Sequence, residues 1–233
     1  EGDLLPSRKV HIPSLEKGKI GFEESLRQQG DIKQLGGDVP IEALALGRLE
    51  LEFTNEFEET KLPDWSQWTA NRVVESNTGE LQWDYQQEGE GYFTVNTAGT
   101  KAIAGFTGGK KFTLGNVTLQ SDNPFAIVYL TSLEQGKSIA EADSLLLTTM
   151  ARARNSGMVY AYGEDETRLE KVGEAPLKVE PVDVTLSFRS DRLKKVIPLD
   201  HDGRLTGKTI RTKRGSVEID GKAHETIWYL ILK

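Results

Sequence analysis

From Leu49 to Lys233 apolar residues recur at alternate positions in short runs. The segment LELEF alternates strictly, and RVVES and ELQWDY flank the turn NTG. GYFTVNT, KAIAGF, KFTLGNVTLQ and FAIVYLTSL come next at short spacing, and PLKVEPVDVTLSFR, KKVIPLD, KTIRTKR, SVEID and TIWYLILK complete the series. A period of two sends successive side chains to opposite faces, so each run predicts a strand with one face on a core. The separators TGG, SDNP, NSG, HDG and IDG are turn chemistry, rich in residues that tolerate positive φ. Many short strands joined by tight turns predict an all-β fold: an antiparallel β-sandwich, jelly-roll-like, rather than a parallel sheet with crossover helices. The stretch SLEQGKSIAEADS fits a helical interruption and a long hairpin loop equally.

The run LLLTTMARARNSGMVYAY, residues 145–162, poses a sharper question. Its first face is Leu145, Leu147, Thr149, Ala151 and Ala153, which reads as core. Its second face is Leu146, Thr148, Met150, Arg152 and Arg154, which begins apolar and ends charged. Such a face either buries an ion pair or presents a polar end to something outside.

Residues 1–47 differ from the rest, being polar, glycine-containing and without sustained alternation. They read as an irregular N-terminal arm docked on a sandwich module of residues 48–233, with one short helix over Phe22–Gln29. The abrupt start reads as a piece cut from a longer protein. A chain of 233 residues, 37% of them hydrophobic, is long enough for a core that needs no covalent staples. Cysteine is absent, so thiol and disulfide chemistry are excluded. The net charge is -7 and no basic run is present, which argues against nucleic acid. No apolar run approaches the roughly 20 residues of a membrane span, and the first residues lack a signal-peptide pattern. A monomer is expected.

Catalytic motifs are missing. His11, His201 and His224 are scattered, and neither Gly-x-Ser-x-Gly nor His-Glu-x-x-His occurs. Paired acids for glycoside hydrolysis are neither indicated nor excluded among 36 carboxylates. LDHDGRL echoes the opening of a calcium loop at Asp200 and Asp202, but the remaining oxygen ligands are lacking, so it reads as a tight Asp-Gly turn. No cofactor and no metal site is expected, with structural calcium at some other loop junction left open. GFTGGKKF lacks the frame of a phosphate loop and reads as a glycine-rich hairpin.

Aromatic residues are the remaining candidates, because a sugar's C–H face stacks on a flat ring while its hydroxyls take hydrogen bonds from polar side chains. Trp65 and Trp68 lie in the polar stretch LPDWSQWTAN, where they form either a platform or a plug at the sandwich end. Trp83 shares a face with Leu81 and Tyr85 and reads as core, while Trp228 and Tyr229 point to opposite faces. Tyr160 and Tyr162 project together after the NSG turn, which brings Arg152 or Arg154 across from them. The plain alternative for these arginines is surface stacking on tyrosine, or pairing with acids such as Glu180 or Asp183.

The segments TSLEQGKSIAEADSLLLTTMARARNSGMVYAY, APLKVEPVDVTLSF, IPLDHDGR and TIWYLI, with GELQWDY, GYFTVNTAGTKAIAGF and VPIEALALGR, give the chain a pattern that resembles a known region. It resembles the C-terminal β-sandwich region of large secreted bacterial glycoside hydrolases, which comes after a (β/α)₈-type catalytic barrel. The resemblance covers most of residues 38–233 and carries over no catalytic motif. It implies a secreted or periplasmic, non-catalytic accessory module attached to an upstream catalytic domain, either binding polysaccharide or bracing that domain. An unrecognised small glycan-active enzyme is the third reading. Carbohydrate-binding candidates are Trp65, Trp68, Tyr160, Tyr162, Arg152 and Arg154, chosen on the aromatic argument alone.

Overall fold

The computed structural model describes residues 40–47, 64–163 and 167–233 in full, and Arg8–His11 and Leu49–Glu52 by their backbone. The expected helix over Phe22–Gln29 lies outside the described residues. The chain forms two compact units, Glu1–Gly91 and Tyr92–Lys233.

In the first unit β1 (Arg8–His11) pairs in parallel with β2 (Leu49–Glu52), a strand the N-terminal sequence pattern does not announce. A single helical turn, α1 (Ala43–Leu46), buries Ala43, Ala45 and Leu46, and the Leu46 carbonyl accepts from the Asn77 amide. Asn77 lies in the turn joining β3 (Val73–Glu75) to β4 (Leu81–Asp84), where Gly79 has a φ of 68°. A second helical turn, α2 (Ser66–Thr69), opens where the Asp64 carboxylate accepts from the Ser66 amide.

The second unit is an antiparallel sandwich. One sheet has the order β16 (Lys195–Pro198), β19 (Trp228–Leu232), β10 (Ser144–Met150), β9 (Ala126–Ser132), β6 (Thr100–Gly105) and β5 (Tyr92–Asn96). The other has the order β17 (Thr212–Lys213), β18 (Ser216–Ile219), β15 (Val184–Phe188), β8 (Val117–Gln120) and β7 (Lys111–Leu114). The alternation in the sequence is what the sheets use: Ile103, Val128, Leu130, Leu145, Leu147 and Ile231 of the first sheet meet Leu119, Leu186 and Val217 of the second in one buried cluster. Tyr229 joins that core with its hydroxyl donating to the Thr226 carbonyl, while Trp228 points outward, half-buried.

One open alternative is decided and two local expectations resolve differently. SLEQGKSIAEADS is the long loop of the β9–β10 hairpin and holds no helix. GFTGGKKF is not a hairpin: β6 belongs to the first sheet and β7 to the second, so the glycines carry the chain from one layer to the other. Ala153 is exposed rather than core, because β10 ends at Met150 and the chain then leaves the sheet. The core face runs only from Leu145 to Ala151.

Candidate functional site

Beyond β10 the chain forms a ribbon outside both sheets. β11 (Ala153–Ser156) pairs with β14 (Glu174–Val179), and β12 (Val159–Tyr162) pairs with β13 (Thr167–Lys171). β13 and β14 are exposed along their whole length. Between β11 and β12 the Met158 amide donates to the Asn155 carbonyl, and Gly157 takes a φ of 71°. Gly173 faces this turn so closely that a Cβ would stand 2.5 Å from the Ser156 carbonyl oxygen, at a φ of 76°.

Arg154 and Tyr160 lie equally far from Gly157, and the turn brings the Arg154 guanidinium to 5.1 Å from the Tyr160 ring centroid. The Tyr160 and Tyr162 ring centroids are 6.3 Å apart with planes tilted by 38°, and Tyr162 is 71% exposed. Arg152 grips Glu180 with two bonds, Nε to Oε2 at 2.7 Å and Nη2 to Oε1 at 3.2 Å. That bond lowers the Glu180 carboxyl below its usual range and raises the guanidinium. The pair stands in the open, so it orients Arg152 more than it stabilises the fold. The charged end of the Leu146–Arg154 face is therefore an external one.

Trp65 and Trp68, in the first unit, are half-buried with centroids 5.9 Å apart and planes at 59°. They form an angled pair rather than a flat platform, so no single sugar face can stack flat on both. Trp83 stacks on Tyr85 at 4.8 Å, half-buried instead of core, with the Arg72 guanidinium 5.3 Å from the Tyr85 ring. Burial raises the Tyr85 phenol, and a hydrogen bond to Glu42 adds to it.

A further aromatic group escapes the sequence reading. Phe106 and Phe125 stand edge to face at 5.6 Å, and Phe106 is 41% exposed. The Lys110 ammonium lies 5.3 Å from the Tyr92 ring. KAIAGF and FAIVYL present both phenylalanines as the ends of core strands; the available signal was their position against Thr-Gly-Gly and Asn-Pro turn residues.

The LDHDGRL turn takes the tight form expected of it. The Asp200 Oδ1 accepts from the Asp202 and Arg204 amides, and Asp202 pairs with the Arg204 guanidinium at 2.9 Å. Among the described residues no group of three His, Asp or Glu side chains is placed to hold a metal ion, and no helix is long and apolar enough to cross a membrane. Chemically, the ribbon offers ring faces and guanidinium donors side by side. Comparison with protein-family models, curated proteins and solved structures finds no match.

Proposed function

We propose that the chain is a non-catalytic accessory module of a secreted polysaccharide-degrading protein, and that it binds glycan on its ribbon. The observation that carries this reading is the solvent-facing Tyr162 beside Tyr160, whose ring carries the Arg154 guanidinium. A sugar ring stacks its C–H face on Tyr162, and its hydroxyls accept from the guanidinium N–H groups of Arg154, whose planar donor fork suits adjacent oxygens. Arg152 contributes less, since Glu180 already takes two of its donors. In affinity gels against a panel of neutral and acidic polysaccharides, Tyr162→Ala lowers affinity about tenfold with melting temperature unchanged. A panel in which no polysaccharide retards the folded chain, or a Tyr162→Ala protein retarded as before, refutes the reading.

A second reading, a module that braces an upstream catalytic domain, is favoured by the outer face of the first sheet. An antiparallel sheet with one face in water ordinarily alternates apolar and polar residues. Here the outward positions of β5, β6, β9, β10 and β19 include Ile127, Tyr129, Leu146, Met150, Trp228 and Leu230, and none of these positions is charged. Tyr129 and Met150 are among the large side chains left exposed. A surface of that kind fits an apolar protein neighbour.

A further inference from the structure

The Phe106–Phe125 pair lies at the same end of the sandwich as the ribbon. Gly105 is registered with Ala126, and Ile127 with Met150, so the chain leaving β6, the chain entering β9 and the chain running from β10 into the ribbon emerge together. One residue ties these connections. The Asn123 carbonyl accepts from the Thr107 hydroxyl at 2.8 Å and the Gly108 amide at 3.1 Å. Its side chain donates to the Pro181 carbonyl at 2.9 Å and accepts from the Asp183 amide at 3.0 Å. Glu180, next to Pro181, holds Arg152 at the base of the ribbon. A chain of hydrogen bonds thus runs from the Phe106 loop to the foot of the tyrosine ribbon.

Thr107 and Ser121 are buried polar side chains, and both spend their hydroxyls inside this knot. The loops are therefore locked, and Phe106 is displayed on a fixed support. A ring held exposed keeps apolar area in water, and a support that is already ordered reduces the cost of binding. An ammonium stands within the Phe106 loop, where Lys110 Nζ donates to the Phe106 carbonyl at 3.5 Å. A carboxylate stands at the same loop, with Asp122 Oδ1 3.5 Å from where a Cβ on Gly109 would lie. Ring face, donor and acceptor are the same three elements that a sugar requires.

We infer that residues 106–110 and 121–125 form a second glycan subsite, so that the module takes an oligosaccharide chain running along one end of the sandwich rather than a single terminal sugar. The inference rests on the glycan reading of the ribbon, and the experiment separates the two. The probes are oligosaccharides, from disaccharides upward, made by partial acid hydrolysis of whichever polysaccharide retards the protein most. Titration calorimetry on the folded chain should show affinity rising with length. Phe106→Ala should cost the long oligosaccharides about tenfold and leave the disaccharide unchanged, while Tyr162→Ala weakens every length. Phe106→Tyr keeps a ring and should restore the length dependence, which distinguishes lost stacking from a disturbed loop. Affinity independent of length, or a Phe106→Ala protein that binds long oligosaccharides as well as the parent while Tyr162→Ala does not, overturns the second subsite and leaves the ribbon reading standing. Failure of every polysaccharide to bind overturns both.

Discussion

Gly221 sits where α3 (Gly221–His224) begins, buried against Val182. A Cβ there would stand 2.5 Å from the Val182 carbonyl oxygen and 2.6 Å from its nitrogen, and the Gly221 amide donates to Asp183 Oδ1 at 2.9 Å. The sequence IDG suggests a turn that needs positive φ, but the residue is selected by closeness of backbone instead. Gly221→Ala should destabilise the second unit by about 1–3 kcal/mol, the usual cost of overpacking a rigid contact, read by thermal denaturation. An unchanged melting temperature would mean that the 180–183 segment gives way freely. Such close approaches are illegible in one sequence, because a glycine at a turn looks the same whether its φ or its missing side chain is used. The tyrosines and arginines of the ribbon were legible as neighbours, since NSG announces the turn that brings Arg154 to Tyr160. Phe106 was not, because it ends an apolar run and nothing in that run singles it out from its strand neighbours.

At the scale of an element, the loop between β9 and β10 shows how side chains decide what pattern leaves open. Its sequence suits a helix, yet the Glu134 carboxylate accepts from the amides of Asp143 and Ser144 and from Lys137, which closes the segment as a loop. The ammonium of Lys233 enters from β19's end and donates to the Ile139 and Ala140 carbonyls. The Lys137 bond, with the two amides, lowers the Glu134 carboxyl from 4.5 to about 2. A carboxyl depressed in the folded state contributes stability above its unfolded pKa, and that contribution fades as pH falls from about 4.5 through about 2. The protection of the Asp143 and Ser144 amides, measured against the intrinsic exchange rate at each pH, should therefore fall across that window, and Glu134→Gln should show reduced protection already at neutral pH. Protection that persists to pH 2 would assign the loop's order to Lys233 alone. Most strands were legible from alternation, and NTG marked the β3–β4 pairing, but the partners of strands not joined by so tight a turn were not legible. GFTGGKKF has the look of a hairpin because nothing within it records that β6 and β7 belong to different sheets.

For the molecule as a whole, the outer face of the first sheet is the feature that most separates the two readings of function. The chain should bind an apolar fluorescent dye while fully native, and replacing Tyr129 and Met150 by Lys should abolish that binding without lowering the melting temperature. No dye binding by the parent would remove the support for an apolar neighbour.

The order in which strands are laid down has its own consequence. The chain places β5 and β6 in one sheet, β7 and β8 in the other, returns for β9 and β10, and after the ribbon continues to change layer until β19 closes the first sheet between β10 and β16. Neither layer is made of consecutive strands, so neither can assemble ahead of the other. Folding must await contacts between residues far apart in the chain, which makes it slow, and unfolding one layer strips the other of its connections. The ribbon is exempt, because its pairings are nested within a single excursion from Ala153 to Val179. A proteolytic nick there leaves the sandwich's pairings intact, whereas a nick between sandwich strands weakens both layers at once.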